Sequence, residues 1–460
     1  MQKPLANYTH IFFIGIAGTG MSALAQYLRG KGYRVSGSDR YFNTGEANDI
    51  RLKLVSMGIK CSPQDGTGLA QDTDLVVVST AIEPSVLEVQ QAKAMGIPIL
   101  KRSELLAMIV AAQPTIAVGG TSGKSTTSGI LFDILEHAGL SPSIISGAGL
   151  VKLIHQGSIG NAAVGHGDWL IIEADESDGS IVNYHADIGL LLNIDKDHKE
   201  INELMTIFSA FRDNSHQFIV NQSHPLAAQL SVQLGNDFST DAFTAAGCRA
   251  TDFAQVGLSI QFKINDYPFT MQGIGRHNME NVVAAVAVAS NIGVPLAVAA
   301  EAVANYEGIY RRHQIIGQKD GVILIDDYAH NPVKCAASIR ACLPVADKLI
   351  AWFQPHGYTP TKFLRADFVD QIAAALRPND EIWMSEIFYA GGTANKDISA
   401  NDLIKDLQER GVKAFFVAQR DQWVAEMQSH IISDTVILLM GARDPSLEQF
   451  AQETRAKLTM

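Results

Sequence analysis

The segment Ala117–Thr127, AVGGTSGKSTT, constrains this chain more than any other stretch. An apolar run, Thr115–Val118, feeds a tight glycine turn, and Lys124 stands at the mouth of a helix-compatible stretch, Ser125–His137. In such a corner successive backbone N–H groups and a helix N-terminus point at an anion, and the lysine adds a point charge for terminal phosphates. Ser125 brings the hydroxyl that a phosphate-bound Mg²⁺ requires. The spacing departs from the standard G-x-x-x-x-G-K-[ST] loop, because Val118 stands where the first glycine would be. An ordinary strand–turn–helix corner with an exposed lysine is the alternative, and it leaves the joint arrival of glycine, lysine and serine after a strand unexplained. The expected ligand is a nucleoside triphosphate.

The chain has 460 residues, more than one ordinary core accommodates, and several domains are expected. A net charge of −12 weighs against nonspecific nucleic-acid binding, which relies on clustered Lys and Arg to neutralise phosphates. Cys61, Cys248, Cys335 and Cys342 show no C-x-x-C spacing, so neither a zinc site nor a disulfide framework is expected, and a reducing cytoplasm fits best. The opening MQKPLANYTH lacks the basic start and apolar core of a signal peptide. Val282–Ala300 carries no charge and is long enough to raise a membrane span. It is rich in alanine, and the turn signal at Asn291–Pro295 breaks it, so two short buried helices and no membrane are expected.

Three strand–glycine–helix units divide the chain. The first opens with an apolar strand, His10–Gly15, running into GIAGTGM and a helix through Gly30; strands at Tyr33–Gly37, Leu75–Thr80 and Pro98–Leu100 and a helix at Val86–Met95 follow. The second runs from the phosphate loop through strands Trp169–Ala174 and Ile188–Ile194, a helix at Leu204–Phe211, strands Leu258–Ile264 and Pro268–Gln272, and the alanine-rich helices. The third carries strands at Val322–Asp326, Leu349–Phe353, Glu381–Ser385, Ala414–Val417 and Thr435–Met440, with helices between. Strands alternating with helices at this spacing imply an α/β fold with parallel, doubly wound sheets. The expected domains are residues 1–112, 113–307 and 308–460.

Polar residues gather at the ends of these strands, where ligands of open α/β sheets bind. Glu173, Asp175, Glu176 and Asp178 follow one strand; Asp195, Asp197 and His198 follow another. Mg²⁺ takes hard oxygen ligands and keeps waters, so Glu173 with Ser125 makes a phosphate-bridging site, while His198 would be a less usual ligand for a second ion. Helix-capping loop residues are the alternative for each of them taken singly. In GRHNMEN, Gly275–Asn281, the amides of Asn278 and Asn281 share a helix face and match an adenine edge, or Asn278 caps the following helix. Arg311 and Arg312 suit a transferring phosphoryl group, and Asp326 and Asp327, ahead of Tyr328, suit ribose hydroxyls. Gly15, Gly18 and Gly20 with Asp39 suggest a dinucleotide turn, yet Ala17 replaces the glycine that G-x-G-x-x-G requires. The turn suits a diphosphate at a helix N-terminus without implying a nicotinamide.

Taken in order, these motifs resemble those of the Mur ligase family, the ATP-dependent amide-forming enzymes of peptidoglycan biosynthesis. The match runs through GIAGTGM (Gly15–Met21) with Ser38-Asp39, GTSGKSTT (Gly120–Thr127), EADESD (Glu173–Asp178), NIDKDH (Asn193–His198), GRHNMEN, Arg311-Arg312, DDYAHNP (Asp326–Pro332) and FQPHGYT (Phe353–Thr359). EADESD and FQPHGYT are most similar to the branch that acts on UDP-N-acetylmuramate. The resemblance implies three domains: a Rossmann-like one for the UDP-sugar, a P-loop ATPase, and a Rossmann-like one that closes over ATP and binds the incoming amine. It implies ATP and Mg²⁺ as cofactors, and UDP-N-acetylmuramate with L-alanine, or a recycled tripeptide, as substrates of a monomer or homodimer. Lys124, Glu173, His198 and Arg312 would be catalytic, with Ser125, Glu173 and His198 on the metal. Gly120, Thr121, Ser122, Gly123, Lys124, Ser125, Thr126, His277, Asn278, Asn281, Arg312 and Asp327 would hold ATP. The UDP-sugar would lie against Gly15, Gly18, Thr19, Gly20, Met21, Ser38, Asp39 and Ser79, and the acceptor against Tyr328, His330 and His356. The family commonly reads F-Q-P-H-R-Y-T-R-T where this chain has Gly357 and Pro360, and Asn331 stands where a second histidine is usual. Two guanidinium groups for the acceptor's carboxylate are thereby absent, which leaves the acceptor open between L-alanine, a peptide and another amine.

Overall fold

A computed structural model describes residues 4–79, 82–196, 199–389, 391 and 395–460. The chain forms two compact units. One runs through Ala254 and takes in Gln261–Gln272 and His277–Tyr310; the other comprises Gln255–Ile260, Gly273–Arg276 and Arg311–Met460.

The first unit holds one parallel sheet and a second that is parallel except for its edge strand, which runs antiparallel to its neighbour. Strands β1 (His10–Ile14), β2 (Arg34–Asp39), β3 (Lys60–Pro63), β4 (Leu75–Val78) and β5 (Ile99–Lys101) are ordered β3-β2-β1-β4-β5. The second sheet is built from β6 (Thr115–Gly119), β7 (Ser143–Ile145), β8 (Ala162–Ala163), β9 (Leu170–Ala174), β10 (Ile188–Leu191) and β11 (Gln217–Val220), ordered β11-β10-β6-β9-β7-β8. The central strands β1 and β6 are buried throughout, as their unbroken apolar runs require when helices cover both faces. The two sheets share one buried cluster. Helix α1 (Thr19–Gly30), which follows β1, is tied to the second sheet by Asn161: its Nδ2 donates to Thr19 O at 2.7 Å and Ser22 Oγ at 2.9 Å, and its Oδ1 accepts from Gln26 at 2.8 Å.

Helix α2 (Lys124–His137) follows β6. A smaller sheet joins β12 (Phe238–Ser239), β13 (Cys248–Val256), β14 (Ser259–Ile264) and β15 (Tyr267–Gln272), whose alternating burial marks one wet face. The alanine-rich stretch forms two helices, as expected: α3 (Arg276–Asn291) is largely buried, whereas α4 (Leu296–Ala304) buries only Ala299, Ala302 and Val303. Among the described residues no helix is long and apolar enough to cross a membrane.

The second unit is built on β16 (Gln314–Lys319), β17 (Val322–Asp327), β18 (Lys348–Gln354), β19 (Glu381–Met384), β20 (Lys413–Phe416) and β21 (Thr435–Gly441), ordered β16-β17-β21-β18-β19-β20. All pairs are parallel except β16–β17. The last strand thus returns between β17 and β18, which makes the carboxyl ends of these three strands a topological switch point.

Candidate functional site

The strand, glycine turn and helix expected around Lys124 are present. β6 ends in the turn Gly119–Gly123, and α2 begins at Lys124. Gly123 has φ +88°, and a Cβ there would come within 2.5 Å of Asn281 Oδ1, so neither the backbone nor the space admits a side chain. Lys124 Nζ folds back over the turn, donating to Gly120 O at 2.6 Å and to the nearly buried Glu176 carboxylate at 2.8 Å. The Ser125 hydroxyl donates to Glu173 Oε2 at 2.9 Å. The other Glu173 oxygen accepts from the Ser146 hydroxyl at 2.7 Å and the Gly147 N–H at 2.6 Å, so three groups fix its direction. Glu173 pairs in register with Val118 on β6, which is why a residue far along the chain arrives beside the turn.

Two further braces escaped the motif reading. Asn193 lies two residues beyond Leu191, which pairs with Gly119. Its Oδ1 accepts from the Thr121 hydroxyl at 2.9 Å and the Ser122 N–H at 2.8 Å, and its Nδ2 donates to Ser122 O at 3.1 Å. An amide that ends a strand neighbouring the loop strand was the available signal. Glu176 was visible in EADESD without a role; the structure gives it Lys124 as partner. Burial pushes the Asp175 carboxyl up, but Lys124 and the Ser177 N–H hold it below its ordinary value on balance.

Asn278 is the third residue of α3, inside the helix rather than ahead of it, so the capping role weighed for it is excluded. Asn281 accepts from the Thr127 hydroxyl at 3.2 Å, fastening α3 to the loop helix. Asp197 and His198 lie outside the described residues. Among the described residues no three His, Cys, Asp or Glu side chains gather as a metal site.

At the first glycine turn, Gly15 and Ile16 donate to Ser38 O at 2.8 and 3.1 Å. Both oxygens of the buried Asp39 are taken by backbone: Ala17 N–H at 2.9 Å and Tyr41 N–H at 3.0 Å. The Ser79 hydroxyl lies beside Gly15, and Arg102, which ion-pairs with Asp178 at 3.2 Å, lies against Gly20. Gly18 and Thr19 open α1, while the Met21 side chain turns into the core. Among the described residues the buried Ser38 Oγ has no partner.

In the second unit the adjacent arginines separate sharply. Arg311 is buried at φ +54°, its guanidinium on Asp326 (2.9 and 3.3 Å) and on Gly441 O (2.9 Å). Arg312 is exposed, 5.4 Å from the Tyr328 ring centroid. Asp327 accepts from the His313 N–H at 2.8 Å and the Ala329 N–H at 2.7 Å. Its burial raises the carboxyl, and His313, Arg312 and these N–H groups more than reverse that. His330 and His356 approach with ring centroids 5.5 Å apart, and His330 Nδ1 donates to Tyr328 O at 2.9 Å. Burial, with His330 and Arg443, pushes His356 down to about 4; burial, Lys334, Arg312 and Arg443 lower His330, so both rings are neutral near pH 7. Gly357 sits at φ +75°, and a Cβ there would meet the Pro360 ring at 2.9 Å, so Gly357 and Pro360 form one coupled departure. Asn331, the third departure, caps the helix at Pro332–Cys342 by accepting from the Lys334 N–H at 2.8 Å.

Comparison with known proteins converges on one family. Residues 10–114 match the model described as Mur ligase family, catalytic domain; residues 118–289 match the Mur ligase middle domain, and residues 311–443 the Mur ligase, glutamate ligase domain. The UDP-N-acetylmuramate–L-alanine ligase of Acidithiobacillus ferrooxidans is 32% identical over 94% of both chains, and that of Carboxydothermus hydrogenoformans 32% over 96% of both. Among solved structures, the UDP-N-acetylmuramate–alanine ligase of Thermotoga maritima superposes with a TM-score of 0.79 at 22% identity, covering 98% of this chain and 99% of its own. A murein peptide ligase from Psychrobacter arcticus gives 0.65 at 20% identity over 98% of each chain. With a phosphate-loop corner, carboxylates at the neighbouring strand ends, and relatives matched from end to end, the chain belongs to the Mur ligase family and is an ATP-dependent ligase.

Proposed function

We propose that this chain forms an amide bond between an amine, L-alanine in the first instance, and the carboxylate of UDP-N-acetylmuramate, activating that carboxylate as an acyl phosphate with ATP. The observation that carries the proposal is the Ser125–Glu173 pair at 2.9 Å beside Lys124, within one glycine corner. It is supported by the names of the curated relatives that match the whole chain.

The donor set fits Mg²⁺. Ser125 and Glu173 offer hard oxygens, and Mg²⁺ binds one or two such protein groups while taking phosphates and water for the rest. When bound, the ion supplies charge neutralisation across the phosphates. The chain's own residues position and neutralise. The N–H groups that open α2, from Lys124 to Thr126, face the phosphates, and Lys124 adds its charge where the phosphoryl group transfers. Asn193 keeps the turn open in shape, and Glu176 aims Lys124 across it. His277, Asn278 and Asn281 are assigned to the nucleotide side of α3. Gly15, Gly18, Thr19, Gly20, Met21, Ser38, Asp39 and Ser79 are assigned to the UDP-sugar; Asp39 serves by fixing the turn and Met21 by its backbone. Tyr328, His330 and His356 are assigned to the acceptor, and neutral imidazoles there do not repel an ammonium group as it approaches.

A second reading, a peptide acceptor, is favoured by one feature: Gly357 and Pro360 leave room and no charge where the family carries arginines. The test is phosphate release from ATP with UDP-N-acetylmuramate and a panel of amino acids and peptides. Release with L-alanine supports the first reading, and release with peptides alone supports the second. No release with any acceptor sinks both.

A further inference from the structure

Arg443 is an exposed, non-glycine residue at φ +65°, a backbone region that side chains avoid and that concentrates at ligand sites. Among the described residues its guanidinium makes no hydrogen bond or ion pair. Its place follows from strand register. Gly441 on β21 pairs with Gln354 on β18, and Met440 pairs with Asp327 on β17. Arg443 is therefore two residues past one strand end, His356 two past the next, and His330 three past the third. The three loops leave parallel neighbours at the switch point, where ligands of such sheets bind. The two imidazoles stand 5.5 Å apart, and His356 Nδ1 is a buried polar atom with no partner among the described residues. Arg443 is close enough to bias both rings against protonation, as Arg312 and Lys334 bias His330. Gly357, on the same loop as His356, and Pro360, in the first turn of the helix at Tyr358–Phe363, contribute no charge.

We propose that Arg443 is a specificity-determining residue that receives the carboxylate of the incoming amine, with His356 Nδ1–H as a second donor. The proposal rests on the ligase reading above. Arg443 thus supplies from β21 the charge that position 357 lacks, and the strained backbone aims it. Phosphate is the other anion that could occupy such a cluster, and the experiment separates the two.

The wild type, Arg443→Gly and Arg443→Lys are assayed for phosphate release with ATP, UDP-N-acetylmuramate and two acceptor pairs: L-alanine with L-alaninamide, and an alanine-initiated tripeptide with its C-terminal amide. Glycine suits φ +65°, so Arg443→Gly should unfold at the same temperature as the wild type or higher. Its KM for the carboxylate acceptor should rise about 10- to 100-fold, as the loss of one charge-assisted hydrogen bond implies. The preference for carboxylate over amide should vanish, KM for ATP should stay within about twofold, and Arg443→Lys should regain part of the preference. A preference that survives in Arg443→Gly overturns the proposal. So does a rise in KM for ATP with the acceptor preference intact, which would assign Arg443 to phosphate. A wild type that releases no phosphate with any acceptor removes the ligase reading first and this proposal with it, an outcome distinct from the other two.

Discussion

Two strand–glycine–helix corners stand in the same unit, and they are held by groups of different charge. After β1 the brace is a carboxylate: Asp39 takes the Ala17 and Tyr41 N–H groups at 2.9 and 3.0 Å. After β6 the backbone brace is a neutral amide: Asn193 takes the Ser122 N–H at 2.8 Å and the Thr121 hydroxyl at 2.9 Å, while the Glu176 carboxylate there is paired with Lys124. The helices that follow differ in the same sense, since α1 begins with Thr19 and α2 with Lys124. A glycine turn sets only the backbone. The charge behind it decides how much negative charge the turn will tolerate, because a fixed anion about 8 Å from a phosphate opposes it by roughly 2 kcal/mol at an effective dielectric near 20. The corner after β6 offers Lys124 to a charged ligand, whereas the corner after β1 offers the N–H groups that open α1, with Arg102 beside Gly20.

The comparison breaks most visibly at Lys124. Lys124→Ala is expected to lower kcat for phosphate release by about 30- to 1,000-fold, the roughly 2–4 kcal/mol that losing an electrostatic stabiliser costs. Glu176, with a side chain 7% exposed, then loses its partner, so stability falls as well. The double variant Lys124→Ala with Glu176→Gln isolates the two effects: thermal unfolding should recover, and turnover should not. Recovery of both would show that Lys124 serves Glu176 rather than the phosphates.

Next in size is the exchange of charge itself. Asn193→Asp keeps the shape and the acceptor oxygens but places an anion behind the turn and removes the donor to Ser122 O. KM for ATP should rise about 30-fold, from roughly 2 kcal/mol of added repulsion. An unchanged KM would mean that the neutral brace has no electrostatic purpose.

Glu173→Ala sharpens the metal assignment at the same corner. The Mg²⁺ concentration for half-maximal turnover should increase about tenfold, since one of two protein oxygens near the ion is lost. Binding of UDP-N-acetylmuramate, followed by calorimetry, should not change. An unaltered Mg²⁺ requirement would leave Glu173 as a brace for the Ser146–Gly147 turn, which it already contacts at 2.7 and 2.6 Å.

These corners were legible in the sequence because their signals are local: an apolar run, glycines, then a helix opening on Lys124 or Thr19. The parallel sheets followed from alternation, although the short strands β7 and β8 and the half-exposed β13 carried too little pattern to be recognised. What the sequence left hidden depends on register. Asn193 reaches the turn because Leu191 pairs with Gly119, and Arg443 stands beside His356 because Gly441 pairs with Gln354. Neither pairing has a signature in the linear chain. Adjacent Arg311 and Arg312 look alike as residues, yet one is buried on Asp326 and the other faces solvent, a difference set by the left-handed backbone at Arg311.

The smallest expected effect tests the other side of the comparison. Asp39→Asn removes the charge behind the first turn while keeping an amide oxygen that can accept from one of the two N–H groups. The amide nitrogen, if it meets the other N–H, leaves a donor facing a donor. The expected loss is about 1 kcal/mol, one hydrogen bond's net worth, read as a lower urea midpoint with the slope unchanged. KM for ATP should not move, because the ATP corner has its own brace. Affinity for UDP-N-acetylmuramate should stay level or improve slightly, since the variant removes an anion near the assigned diphosphate. Weaker sugar-nucleotide binding out of proportion to the stability change would show that the Asp39 charge itself contributes to recognition. The first corner would then owe its ligand to a carboxylate after all, and the division of the two corners by charge would not hold.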